Sequence, residues 1–157
     1  MTAHAIQLVE PAYRNVLRAR AAIFWLPLAI GSIVADRLLL ADWPIGGLLP
    51  VLVALVALGG ITIGPNRVYR RLGYAIDERL LRVVHGWLFH TDTIVPFVRV
   101  QHIDVTRGPI DKLFGTASLV VHTAGTHNSI VVLPGLAPDR AADMRETIRG
   151  SIRADAE

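Results

Sequence analysis

The sequence predicts a membrane protein in which a hairpin of two hydrophobic helices precedes a mainly β-strand domain that ends in an amphipathic helix. Three observations support this. The first half holds two long apolar segments, the sequence after Arg71 alternates in short apolar runs, and the last part has apolar residues at helical spacing. A hydrophobic fraction of 52% over 157 residues is also high for a soluble protein.

The two apolar segments are long enough to cross a bilayer. No charged residue occurs from Trp43 to Asn66, a run of roughly 36 Å as a helix. The first segment spans only if Arg20 snorkels and the helix continues past Asp36 and Arg37. A cleaved signal peptide is its alternative, but no good cleavage site follows. The predicted boundaries are a cytoplasmic N-terminal segment and two transmembrane helices at residues 1–20, 21–40 and 43–65.

Arginines flank both spans, whereas their connection carries Asp42 and no base. The positive-inside bias therefore predicts a multi-pass protein with cytoplasmic N- and C-termini. From Leu72 onward, nine Lys/Arg face ten Asp/Glu, so the pI near 9.9 does not indicate nucleic-acid binding. The expected contacts with membrane lipids are Arg14, Arg18, Arg20, Arg67, Arg70 and Arg71.

After the second span, alternating residues predict antiparallel strands, and residues 72–153 form the predicted cytoplasmic domain. The apolar phase changes between Val100 and Ile103, which indicates a one-residue bulge at Gln101 and His102. Asp77 and Glu78 supply one turn, and residues 125–128 supply another. The predicted strands cover residues 72–76, 80–85, 87–91, 93–98, 99–107, 117–123 and 129–133.

The C-terminal segment predicts a helix that begins at Pro138, a residue suited to a first helical turn. Its apolar stripe must cover other residues, and the open end of a strongly bent sheet is the expected place. The stripe consists of Ala141, Met144, Ile148 and Ile152.

The stretch from Val100 to Gly125, VQHIDVTRGPIDKLFGTASLVVHTAG, carries a family resemblance together with Pro96. It resembles the YdbS-like branch of bacterial membrane proteins with a pleckstrin-homology-like (PH-like) domain of unknown function. The resemblance follows the whole chain in order. It implies a PH-like split barrel of about seven strands, closed by the C-terminal helix and held at the bacterial inner (plasma) membrane. It implies no settled biochemical activity.

No motif points to catalysis, a metal or a cofactor. The histidine spacing matches no zinc box, and His102 and Asp104 could simply form an exposed pair. No G-x-S-x-G elbow occurs, and the glycines are scattered over turns. Gly60 and Gly64 form a G-x-x-x-G beside Pro65, which we interpret as the end of a helix. The chain is therefore predicted to be non-enzymatic and to need no cofactor.

A basic rim near the middle of the domain supplies candidate contacts to a ligand or partner. Because Asp104 and Asp111 interrupt it, a mixed solvated face is the simpler interpretation. The candidates are Arg99, Gln101, His102, Arg107 and Lys112.

The leading functional hypothesis is a membrane-tethered PH-like module that binds a protein partner or self-assembles at the inner membrane face. The partner is expected to be a related larger PH-like membrane protein or a second copy of the chain. One alternative is recognition of an anionic phospholipid headgroup. Another is a component of a membrane enzyme or transporter, although the spans offer almost no polar side chains.

Overall fold

The computed structural model describes residues 6–40, 45–77, 79–86, 91–124 and 130–154. The chain divides into two compact units. Arg14–Arg67 form a helical unit, while the residues up to Tyr13 join those from Val68 onward in a β-rich domain.

The helical unit contains α1 (Tyr13–Leu39) and α2 (Leu48–Arg70). The helix α1 begins before the predicted boundary at residue 21, and α2 runs past Pro65. The interpretation of Gly64 and Pro65 as a helix end is therefore wrong. A membrane helix tolerates an internal proline because neighbouring groups can satisfy the freed carbonyl. Only 11% of the residues in the most apolar window of each helix are buried, unlike those of a soluble core helix.

Two contacts fix the geometry of the hairpin. A Cβ added at Gly60 would lie 2.4 Å from the indole nitrogen of Trp25, so glycine permits close packing there, whereas Gly64 meets nothing within 4 Å. At the connecting end, both carboxylate oxygens of Asp36 accept the Gly47 N–H at 3.0 Å. Gly47 has a φ of +86°, which a residue with a Cβ rarely adopts. The buried carboxylate of Asp36 therefore stabilises the turn from which α2 starts.

The domain contains two antiparallel sheets. The first has the order β1-β2-β3-β4, with strands Gln7–Leu8, Gly73–Ile76, Leu80–His85 and Thr91–Pro96. The second has the order β5-β6-β7, with strands Val100–Thr106, Ala117–Thr123 and Ile130–Leu136. A short helix, α3 (Pro109–Leu113), precedes β6, and α4 (Pro138–Ala154) follows β7. Two separate sheets with a terminal helix give the predicted split barrel rather than a closed one.

Some strand boundaries differ from the predicted ones. The strand expected at residues 93–98 is β4, which ends at Pro96 because Phe97–Arg99 form a short 3₁₀ helix. Most of the strand expected at residues 87–91 lies outside the described residues, since only Thr91 of it is described. The turn expected at residues 125–128 also lies outside them. The turn expected at Asp77 and Glu78 is confirmed at Asp77, whose N–H donates to the Leu80 carbonyl at 2.9 Å, while Glu78 lies outside the described residues.

The predicted bulge in β5 is confirmed by the strand register. Val100 pairs with Thr123 and His102 pairs with His122, so Gln101 is the extra residue. Beyond the bulge, Ile103 and Val105 face the buried Val121 and Leu119 of β6, respectively. The extra residue therefore places odd positions opposite the buried side chains of β6. Before the bulge the expected inward face at even positions is not observed, since Phe97 is buried and Val98 is 75% exposed.

Side chains from both sheets and α4 form the core of the domain. Met144 is 5% exposed and Ile148 is completely buried, and α4 contacts β5 and β6. These contacts confirm the predicted capping helix. The fully or nearly fully buried core side chains include Leu81, Val83, Phe97, Leu119, Val121, Leu133, Leu136 and Ile148.

The N-terminal segment belongs to the β domain, which the predicted boundary at residue 72 did not include. Its strand β1 pairs with β2 at the edge of the first sheet. The Glu10 N–H donates to the Gly135 carbonyl at 2.8 Å, and the Tyr69 hydroxyl donates to the Val9 carbonyl at 3.3 Å. Tyr13 is 5% exposed. Backbone pairing and aromatic burial thus attach the segment to strands that are distant in sequence.

Candidate functional site

The structure distributes the five predicted contact residues over separate places. Gln101 and His102 share one groove. Arg99 lines a different groove, which separates the two sheets. Arg107 donates its Nε–H to the Thr116 carbonyl at 3.2 Å, and Lys112 lies exposed on α3. The predicted basic rim is therefore not assembled as a single binding site.

Asp111 organises the loop between β5 and β6. Its carboxylate accepts the Gly108 N–H and the Thr116 hydroxyl, each at 3.2 Å. The Thr116 N–H also donates to the Asp111 carbonyl at 2.8 Å. Asp111 is 4% exposed, so its carboxylate stabilises the loop and is not available as part of a charged rim.

Gln101 and His102 line a groove of about 380 Å³ between β5 and α4, which we call the β5–α4 groove. Four consecutive β5 residues contribute to one wall, and α4 contributes three arginines and an apolar residue to the other. The groove is lined by Val100, Gln101, His102, Ile103, Arg145, Arg149, Ile152 and Arg153.

The three arginines of this groove lie outside the apolar stripe from which the C-terminal helix was predicted. Their spacing of four residues places them along one side of α4. Glu146 accepts from Arg145 at 3.1 Å and lies 3.6 Å from Arg149. Among the described residues, Arg153 has no ion-pair partner. The four-residue spacing was the sequence signal that could have identified this side of the helix.

His102, Asp104 and His122 meet on the outer face of the second sheet. Asp104 lies 3.1 Å from Nε2 of His102 and 3.7 Å from Nε2 of His122. The His102 side chain is 70% exposed and that of Asp104 is 46% exposed. The expected meeting of His102 and Asp104 is therefore observed. Within the described ranges, no group of three such side chains is arranged to hold a metal ion.

A second surface is the gap between β4 and β7, the outer strands of the two sheets, which we call the sheet gap. Two grooves of about 360 and 280 Å³ run between these strands. Ile94 on β4 and Ile130 and Val132 on β7 are about half exposed. Within the described part of the chain, each of these strands pairs on one side only. The gap is therefore the open side of the split barrel.

The carboxylate of Asp92, which also lines the larger of these two grooves, accepts from the Arg82 guanidinium, with Nε–O distances of 2.9 and 3.0 Å. The hydrogen bond, and then the charge of Asp92, raise the pKa of Arg82 above its usual value. The pair is an exposed cross-strand contact between β3 and β4.

Two juxtamembrane arginines lie beside exposed apolar residues of the domain. Arg70 and Arg71 line a groove of about 490 Å³ with Ile6 and Leu8. Ile6 is 49% exposed and Leu8 is 59% exposed. In the helical unit, the guanidinium of Arg18 donates to Asn66 at 3.3 Å. Arg14 and Arg20 lie in the first turns of α1, and Arg67 lies in the last turn of α2.

Comparisons with known proteins identify the family. The family described as "Bacterial PH domain" matches residues 21–152, which include most of α1, all of α2 and the β domain from β2 into α4. The chain is 32% identical over 108 residues to the UPF0699 transmembrane protein YdbS of Bacillus subtilis (strain 168). The alignment covers 68% of this chain and 66% of that relative, so it spans slightly less than two thirds of the relative's length. No solved structure matches the chain.

The family match and the two apolar helices agree with the resemblance seen in the sequence. They establish a YdbS-like membrane protein whose domain has the PH-like arrangement of two antiparallel sheets and a terminal helix. This chain therefore belongs to the bacterial PH domain family.

Proposed function

We propose that the protein is a non-enzymatic, membrane-tethered PH-like module that binds a protein partner, or a second copy of itself, at the inner face of the plasma membrane. In this arrangement the two helices span the bilayer and both termini are cytoplasmic. The flanking arginines contact anionic lipids, which fits the positive-inside bias.

The observation that supports this proposal is the sheet gap. Unpaired strand edges present backbone N–H and C=O groups that can bond to another chain. Here those edges lie beside Ile94, Ile130 and Val132, whose apolar side chains are about half exposed. Water solvates such a surface poorly, so covering it with a polypeptide is favourable.

Headgroup recognition, the alternative function, has weaker structural support. The three bases predicted to contact a headgroup are Arg99, Arg107 and Lys112, and they lie in different places. A compact anion is bound strongly when several donors converge on it. The remaining support comes from Arg70 and Arg71 beside Ile6 and Leu8, an arrangement that suits general contact with an anionic membrane surface.

Photo-cross-linking in native membranes tests partner binding directly. The full-length chain would carry a photoreactive phenylalanine derivative in place of Ile130, at the sheet gap. We expect a discrete cross-linked polypeptide, and twice the mass of the chain would indicate self-assembly. The same substitution at Leu113, which is 78% exposed on α3, provides the control and should give no discrete product.

A second pair of variants tests whether the sheet gap itself is responsible. Ile94→Glu places a charge on the β4 side of the gap and should greatly reduce the cross-linked product. Val98→Glu makes the same chemical change at a residue that is 75% exposed and does not line the gap, so the yield should remain unchanged. Adducts with phospholipid alone, and none with polypeptide, would refute partner binding and favour headgroup recognition.

A further inference from the structure

The strand β5 has a free edge that faces the C-terminal helix. In the second sheet β5 pairs with β6, and no described strand pairs with its other side. Four consecutive residues, Val100 to Ile103, line the β5–α4 groove. The bulge at Gln101 interrupts the alternation of side chains here, and the unpaired edge of β5 borders the groove. The groove therefore gives access to backbone hydrogen-bonding groups.

The bulge in β5 makes further backbone hydrogen-bonding groups accessible. Gln101 is the extra residue in β5 and has no partner in the β6 register. A bulged residue leaves the regular ladder, so its backbone groups are available to a new neighbour. Gln101 and His102 are both exposed, and neither carries a fixed charge that would repel an anionic ligand.

The opposite wall of the groove supplies a row of positive charge. Arg145, Arg149 and Arg153 are spaced by four residues, which corresponds to about 6 Å per step along a helix. Alternate residues on one face of a β-strand are spaced by roughly 6.4–6.8 Å. The two repeats agree closely, so carboxylates at alternate positions of an extended chain that lies along α4 match the spacing of the three arginines.

We propose that the β5–α4 groove binds an extended acidic polypeptide segment as a strand added to the edge of β5, with carboxylates at alternate positions paired to Arg145, Arg149 and Arg153. The added backbone bonds to β5, and Val100, Ile103 and Ile152 provide an apolar floor. This inference rests on the proposed function, because it names a site and a class of partner for a module that binds polypeptides.

The distribution of the three arginines along α4 favours a polypeptide over a lipid headgroup. The three arginines extend over about 12 Å of helix, since eight residues separate the first from the last. A single phosphate group cannot contact all three, whereas an extended chain can. Glu146 already neutralises part of the charge near Arg145 and Arg149. A row of single carboxylates matches this distributed charge better than one compact dianion.

Peptide binding to the full-length protein, in nanodiscs of zwitterionic lipid, tests the inference. The probe is a seven-residue synthetic peptide with glutamate at its second, fourth and sixth positions and valine or threonine elsewhere. The control peptide has the same composition but three adjacent glutamates. We expect the alternating peptide to bind at least about tenfold more tightly, since only its carboxylates match the arginine spacing.

Charge reversal locates the binding site. Arg149→Glu should weaken binding of the alternating peptide by about tenfold or more. Arg79→Glu makes the same reversal at an exposed residue outside the groove and should change the affinity by less than about twofold. Unchanged unfolding midpoints of both variants would show that the fold is retained.

Hydrogen exchange distinguishes strand addition from simple charge attraction. The alternating peptide should slow exchange of β5 backbone amides within Val100–Thr106, because an added strand bonds to them. Equal affinities for the two peptides, or unchanged β5 exchange, would overturn the inference. If neither peptide bound, and Arg149→Glu weakened binding of the protein to vesicles of anionic phospholipid, the groove would instead be assigned to a lipid headgroup.

The outcome for this groove is separable from that for the proposed function. If the Ile130 cross-link persists in the Arg149→Glu variant while the alternating peptide does not bind the wild type, partner binding stands and the groove inference fails. If peptide binding is observed but no cross-link forms at the sheet gap, the groove inference stands and the sheet gap is not the partner site.

Discussion

The attachment of the N-terminal segment to β7 gives a quantitative prediction. Gly135 has a φ of +76°, and a Cβ added there would lie 2.5 Å from Cγ and 2.8 Å from Cβ of the buried Tyr13. Gly135→Ala therefore incurs two costs. The left-handed backbone costs about 1–2 kcal/mol, and forcing an atom into a packed contact costs about 1–3 kcal/mol. The expected loss in unfolding free energy is about 2–5 kcal/mol.

Gly115→Ala provides the matched control. Gly115 also has a positive φ, +69°, but an added Cβ there meets nothing within 4 Å. Gly115→Ala should therefore lower the unfolding free energy only by the cost of the left-handed backbone, about 1–2 kcal/mol. Both substitutions reduce the entropy of the unfolded chain to a similar extent, so that effect cancels in the comparison.

The measurement is urea unfolding of the full-length protein in mild detergent, followed by pulse proteolysis of the β domain. A double-mutant cycle completes it. In a Tyr13→Ala background the ring is absent but the Cβ of residue 13 remains, so Gly135→Ala should cost less than in the wild type, though still more than Gly115→Ala. Equal losses for the two glycine variants in the wild-type background, or additive effects in the cycle, would refute the packing of Tyr13 against β7.

Three further outcomes are expected. Ile148→Ala should destabilise the domain by about 2–5 kcal/mol in the same assay, since Ile148 is fully buried under the capping helix. Asp111→Ala should lower the unfolding free energy by about 1–3 kcal/mol, because it leaves two hydrogen-bond donors unsatisfied. Asp104→Ala removes an exposed carboxylate and should change the unfolding free energy by no more than about 0.5 kcal/mol. Similar losses for the two variants would contradict the role of Asp111 in the loop. Reporter fusions after Glu157 and before Arg14 should both report a cytoplasmic location, and a periplasmic signal from the C-terminal fusion would exclude the two-span hairpin.

Short-range patterns in the sequence predicted much of the domain. The shift of apolar phase between Val100 and Ile103 located the bulge, because strand periodicity is local and one inserted residue reverses it. The spacing of Met144 and Ile148 likewise predicted the buried face of α4. The apolar helices were visible because a bilayer requires about 20 consecutive apolar residues.

Long-range contacts were not predictable in this way. Nothing near Val9 or Tyr13 indicates that this segment joins a sheet formed some sixty residues later, since β-strand partners are chosen by the tertiary fold. Pro65 also appeared to end α2, because local propensity omits the neighbours that sustain a membrane helix.

In the candidate site, too, some features followed from the sequence and others only from the tertiary structure. By itself, the sequence determined which side chains carry charge, that the domain is nearly neutral, and that Arg145, Arg149 and Arg153 share one side of a helix. Only the tertiary structure decided that this side faces the edge of β5, while Arg107 bonds to a loop carbonyl and Asp111 is buried. The physical reason is that periodicity fixes the direction of a side chain within its own element, whereas the packing of distant elements determines what that side chain meets.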